Sequence, residues 1–195
     1  WDIVNKKAKV ICPAYDQLVY QGAQGTVVHN DDTGAKILEF MGANKVPRED
    51  DPSRTGIFTT GILSRVGERQ IALYFTGRKH AGENMADLLA RRDPDRDPPI
   101  QMCDALSRNL PKSFETILAN CLTHARRKFV EVIDYFPAES RIVLDTLRLV
   151  YKHDAVTKER TMSDELRLEY HQQNSAPLME DLQAWLNEQF DKKTI

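Results

Sequence analysis

Two short apolar runs in this chain end in carboxylates, and those acids are the residues whose types and spacing best fit chemistry. The first is Thr26-Val27-Val28-His29-Asn30-Asp31-Asp32-Thr33, a β-branched run that closes on adjacent aspartates. The second is Pro99-Ile100-Gln101-Met102-Cys103-Asp104, in which the period of two puts Ile100, Met102 and Asp104 on one face. Runs of this kind fit buried strands. A carboxylate buried without a partner costs several kcal/mol. Protonation relieves that cost, and so does a divalent cation, which takes hard oxygen ligands. Asp31 and Asp104 are therefore the expected metal pair.

The elements that must position them follow from periodicity. Val4, Ala8, Ile11, Tyr15, Leu18 and Val19 recur at helical spacing over residues 3–21, with Pro13 inside and Gly22 and Gly25 after. The first strand extends past Gly34 toward Phe40. Gly42 to Arg54 reads as a polar loop. Gly56 to Val66 and Gln70 to Thr76 form a hairpin around Gly67-Glu68-Arg69. A helix is expected over His80 to Arg91, a strand into Asp104, a helix over Pro111 to Asn120 on the stripe Phe114, Ile117 and Leu118, and a short fifth strand over Ala119 to Thr123. Four helical patterns complete the chain: His124–Tyr135, Ala138–Lys152, Ser163–Gln173 and Pro177–Phe190. Ser163 and Ser175 stand as start signals for the last two.

Three strands in tight succession, then helix and strand in alternation, is the order of the ribonuclease H-like fold. The fold class expected is thus α/β: a ribonuclease H-like mixed sheet with flanking helices, followed by an all-helical insertion. The expected division is a helical lead-in over residues 1–25, a core over 26–124 and the helical region over 125–195.

Composition sets outer bounds. With 195 residues, 41% hydrophobic and 29% charged, the chain can bury a core and is not of disordered type. No apolar run reaches the length of a membrane span. Cys12, Cys103 and Cys121 read as buried free thiols of a reducing, cytoplasmic compartment; Cys121-x-x-His124 has no second half spaced to complete a zinc site. A net charge of −2 gives no general attraction to nucleic acid, so any such binding must come from local patches. Arg126, Arg127 and Lys128 form one such patch and Arg78, Lys79 and His80 another; each could equally be the solvated face of its element. His153 and His171 read as surface residues, and Trp185 as core. The first residue is Trp1, which suggests an internal piece of a longer protein.

Longer blocks carry a family resemblance. CLTHARRKF (Cys121 to Phe129) and MSDELRLEYHQQNSAPLMEDLQAWL (Met162 to Leu186) resemble transposases of the insertion-sequence sixty-six family, whose catalytic domain is of the DDE type. HNDDT (His29 to Thr33), TGILSRV (Thr60 to Val66), FTGRKHAGENMADLL (Phe75 to Leu89) and MCDALSRN (Met102 to Asn109) resemble further blocks of that family in the same order. The resemblance implies a DNA transposase whose two aspartates and one glutamate hold Mg²⁺ or Mn²⁺ for phosphodiester hydrolysis and strand transfer. DNA is the implied partner, with homo-oligomerisation possible. Asp31 matches the first aspartate and Asp104 the second, and Asp32 stands where family members commonly have an acidic neighbour, which makes it the reserve metal ligand. The family's glutamate lies in an asparagine- and arginine-rich block that does not occur before Ile195; Glu131, Asp134 and Glu139 do not stand in that context. The chain alone is thus expected to be poorly active, and a catalytically inactive remnant or a DNA-binding or assembly module is the competing reading. An aspartyl phosphatase of the haloacid-dehalogenase type is disfavoured, because its two acids are separated by one residue and here they are adjacent.

Overall fold

In the computed structural model of the chain, residues 2–36 and 56–192 are described. The expected loop over Gly42 to Arg54 and the continuation of the first strand from residue 37 lie outside them. The chain divides into two compact units, Trp1–Cys121 and Leu122–Ile195.

The first unit is mixed α/β. Helix α1 (Asp2–Ala23) precedes strands β1 (Val27–Lys36), β2 (Gly56–Val66) and β3 (Arg69–Gly77). Helix α2 (Ala81–Leu89), strand β4 (Ile100–Cys103), a 3-10 turn over Ser107–Asn109 and strand β5 (Ile117–Asn120) follow. The five strands lie in the order β3-β2-β1-β4-β5. β1, β2 and β3 are antiparallel neighbours, whereas β4 runs parallel to β1 and β5 parallel to β4. The β2–β3 turn is two residues long, with Val66 paired to Arg69 and Gly67 at φ +57°. Only a residue without a Cβ enters that first turn position cheaply.

The pleat decides which residues meet the helices. Val28, Ile62, Ile71 and Leu73 point to one face of the sheet and pack against Val19 and Ala23 of α1 and Met85, Leu88 and Leu89 of α2. Arg92 ties the end of α1 to this layer: its guanidinium donates to the carbonyls of Ala23 (2.7 Å) and Gly25 (2.8 Å). Burial holds the Arg92 pKa below its ordinary value, with the nearby Arg96 charge acting in the same direction. Among the described residues the opposite face has no such helical cover: Tyr74 is 70% exposed, Ile117 57%, Ile100 39% and Leu63 37%.

The structure differs from the sequence reading between β4 and β5. No helix occupies Pro111 to Asn120; the 3-10 turn is the only helical piece there, and Ile117–Asn120 is the fifth strand, four residues long and beginning before the expected Ala119. Phe114, Ile117 and Leu118 have helical spacing, yet pairing with β4 satisfies the backbone of 117–120 and overrides it. Among the thiols, Cys103 is buried, Cys121 is intermediate and Cys12 is exposed, because the outer face of α1 is open over that stretch.

The second unit consists of α3 (Leu122–Val132), α4 (Pro137–Glu159), α5 (Asp164–Asn174) and α6 (Ala176–Lys192). Val143, Leu147 and Leu182 form its core, with Phe129, Met179, Trp185 and Leu186 packed around them. Ser163 caps α5, accepting from Leu166 N at 3.3 Å. His153 and His171 are not plain surface residues: both are half-buried and share the Ser175 hydroxyl, at 3.2 and 2.8 Å.

Candidate functional site

Asp31 and Asp32 are neighbours in β1 and therefore face opposite sides of the sheet. Asp32 is the buried acid, with its side chain 3% exposed on the helix-covered side. Its Oδ1 accepts from Thr60 Oγ1 at 2.6 Å, and its Oδ2 accepts from the backbone N–H of Ala81 at 2.9 Å and lies 3.3 Å from His80 Nδ1. Thr60 in turn accepts from Asn84 Nδ2 at 2.7 Å, and the His80 ring lies against Phe58 with centroids 4.1 Å apart. A carboxylate on an orphan amide of a helix's first turn is favourable by hydrogen bonding and by the helix dipole together. Asp32 thus fastens the start of α2 to the centre of the sheet.

Asp31 lies on the open face and is exposed, so the unpaired buried acid expected from the sequence is not found at this position. Its Oδ1 accepts from the Asp32 N–H at 2.9 Å. The parallel β1–β4 ladder pairs Val28 with Gln101 and His29 with Met102. The ladder ends at His29 and Met102; Asp31 shares the face of His29 in β1, and Asp104 lies two residues past Met102, outside β4. Burial pushes the Cys103 thiol pKa up, and the charges of Asp104 and Asp31 push it further.

Asp104 sits one residue past the end of β4, and a buried network holds it there. Its Oδ1 accepts from the Leu106 N–H at 3.1 Å and from the Asn109 side-chain amide. Its Oδ2 has no protein partner among the described residues. Asn109 is itself fixed: its carbonyl accepts from Asn30 Nδ2 at 2.9 Å and from Gln101 Nε2 at 2.8 Å, while Gln101 also donates to Asn30 Oδ1 (2.9 Å) and accepts from Thr116 (2.9 Å). Asn30, Gln101 and Asn109 are all at most 3% exposed. Buried amides satisfied by one another are rigid, since each loses a partner if any one turns. The sequence reading did not single out these three. The available signal was their placement: Asn30 and Gln101 occupy the inward positions of strands whose other inward positions include Val28 and Cys103.

The basic residues separate. Arg78 is half-buried beyond β3, and Lys79 is exposed and paired with Asp87 of α2. Arg126, Arg127 and Lys128 belong to the second unit, exposed on α3, where Lys128 pairs with Glu131 at 2.9 Å. Among the described residues no group of three or more His, Cys, Asp or Glu is arranged to hold a metal ion. Two carboxylates of the Asp31 and Asp104 kind nevertheless fit a hard cation, since Mg²⁺ is commonly bound through one or two carboxylates with substrate phosphates and water completing the shell. No described helix is long and apolar enough to cross a membrane.

The sequence matches the family described as Transposase IS66 family over residues 2–195. Neither the curated proteins nor the solved structures provide a match.

Proposed function

The chain belongs to the IS66 family of transposases, and from that premise we propose that Asp31 and Asp104 are the two aspartates of a DDE-type site for phosphodiester hydrolysis and DNA strand transfer. The observation that carries the reading is the parallel pairing of β1 with β4, whose register leads toward Asp31 on one strand and toward Asp104 just past the other, with a buried amide network behind Asp104. The order β3-β2-β1-β4-β5, antiparallel through β1 and parallel beyond it, supports a ribonuclease H-like core.

Asp31 and Asp104 would hold Mg²⁺ or Mn²⁺. When bound, such ions activate water or a DNA 3′-hydroxyl and stabilise the leaving oxygen of an in-line displacement. The chain's own contribution is placement. Asn109 and the Leu106 amide occupy one oxygen of Asp104 and fix its rotamer, leaving the other oxygen for ligation. Asp31 is held by its own strand on a face that α1 and α2 do not cover, where a DNA backbone has access. Asp32, spent on α2 and turned to the opposite face, serves as a structural anchor. The proposed partner is DNA, in the cytoplasm.

Isothermal titration of the chain with Mn²⁺, alongside Asp31→Asn and Asp104→Asn, tests this reading. Binding to the wild type that either substitution abolishes is the expected result. Binding that survives both substitutions, or no binding by the wild type, overturns the metal site and leaves an inactive remnant or a DNA-binding module.

A further inference from the structure

A cavity of about 430 Å³ has walls that continue from two strand ends. One wall, Lys79 to Asp87, follows β3; the other, Ser107 to Ser113, follows β4. Asp32 fixes the first wall through His80 and Ala81, and the Asn109 network fixes the second. The walls approach closely because residue 82 is glycine: a Cβ there would fall on the carbonyl oxygens of Leu110 and Arg108. A volume of this size lies within the range of nucleotide-sized ligand sites.

The charges of the lining are unevenly spent. Of its acids, Glu83 accepts from the His80 backbone N–H at 2.8 Å, and Asp87 pairs with Lys79. Arg108 and Lys112 are exposed, and neither has an ion-pair partner among the described residues. Ser107 and Ser113 add hydroxyls to the same lining. Two uncompensated cations with hydroxyl donors in one concave, anchored cavity suit phosphate oxygens.

We propose that this cavity binds the DNA backbone, with Arg108 and Lys112 contacting phosphates. The assignment rests on the DNA-transposase reading above and adds residues to it.

The test is fluorescence anisotropy of a labelled mixed-sequence duplex over a salt series, in EDTA so that no metal is required. Each phosphate contact contributes about 0.9 to the slope of log affinity against log salt, so Arg108→Ala/Lys112→Ala should lower the slope by about 2 and weaken binding roughly tenfold or more at about 0.1 M salt. The loss should be the same for unrelated duplex sequences. Arg65→Ala/Arg69→Ala, at the opposite end of the sheet, should change neither quantity. Equal effects of the two double variants, an unchanged slope in the first, or no duplex binding by the wild type would overturn the proposal. Saturable binding of inorganic phosphate that the first double variant abolishes, with duplex binding intact, would replace DNA by a small phosphate ligand. Because the Mn²⁺ titration is read without DNA, retained metal binding beside failed duplex binding removes the cavity assignment alone.

Discussion

The two faces of the β1–β2–β3 sheet put the same kinds of residue to different uses. On the helix-covered face Asp32 is 3% exposed in its side chain and Leu73 is 3% exposed, and both are committed to holding α1 and α2 on the sheet. On the open face their sequence neighbours, Asp31 and Tyr74, are exposed, and Tyr74 reaches 70%. One residue of displacement along a strand separates a structural carboxylate from one able to meet a ligand. The doublet Asp31-Asp32 is therefore not two versions of one role.

Substitutions on the two faces should separate in size. Leu73→Ala, which empties part of the α1–α2 core, should cost about 3 kcal/mol in urea unfolding, and Tyr74→Ala beside it should cost less than about 0.5 kcal/mol. Comparable losses at both positions would mean that the open face is covered in solution. Asp32→Ala should follow at about 2 kcal/mol, because it strands the Thr60 hydroxyl and the Ala81 amide; a neutral outcome would break the assignment of Asp32 as the anchor of α2.

Smaller effects sharpen the open face. Asn109→Ala should weaken Mn²⁺ binding about tenfold, as loss of an outer-shell partner does, since it frees the Asp104 carboxylate to turn. An unchanged affinity would show that the amide network serves packing alone. Cys103 gives the smallest signal. Its thiol pKa is raised in the fold, first by burial and then by Asp104 and Asp31, so the neutral thiol's contribution is full below its unfolded pKa near 9.0 and is lost as pH rises through the folded value. Alkylation of Cys103 at alkaline pH should accelerate when Mn²⁺ neutralises the two carboxylates, and should not in Asp31→Asn.

Much of this was legible in the sequence. Gly56 to Val66 was read as the second strand at the observed bounds, and the hairpin followed from Gly67, because alternation and turn chemistry are local. The two acid-ended apolar runs are strands that pair in parallel, and the meeting of Asp31 with Asp104 stays part of the proposed function. What the sequence hid is non-local. Which face of β1 the helices would cover decided that Asp32, not Asp31, is the buried acid. The helical spacing of Phe114, Ile117 and Leu118 lost to backbone pairing with β4. Asn30, Gln101 and Asn109 acquire their roles only when residues up to 79 positions apart meet.

The most direct test of the two-face account is urea unfolding of the wild type, Asp31→Asn and Asp32→Asn, each with and without saturating Mn²⁺. A ligand that binds only the folded chain raises the midpoint. The expected result is that Asp32→Asn lowers the metal-free midpoint yet still gains from Mn²⁺, while Asp31→Asn leaves the metal-free midpoint near that of the wild type and gains nothing. The reverse pattern, with the Mn²⁺ gain lost in Asp32→Asn and kept in Asp31→Asn, would contradict it.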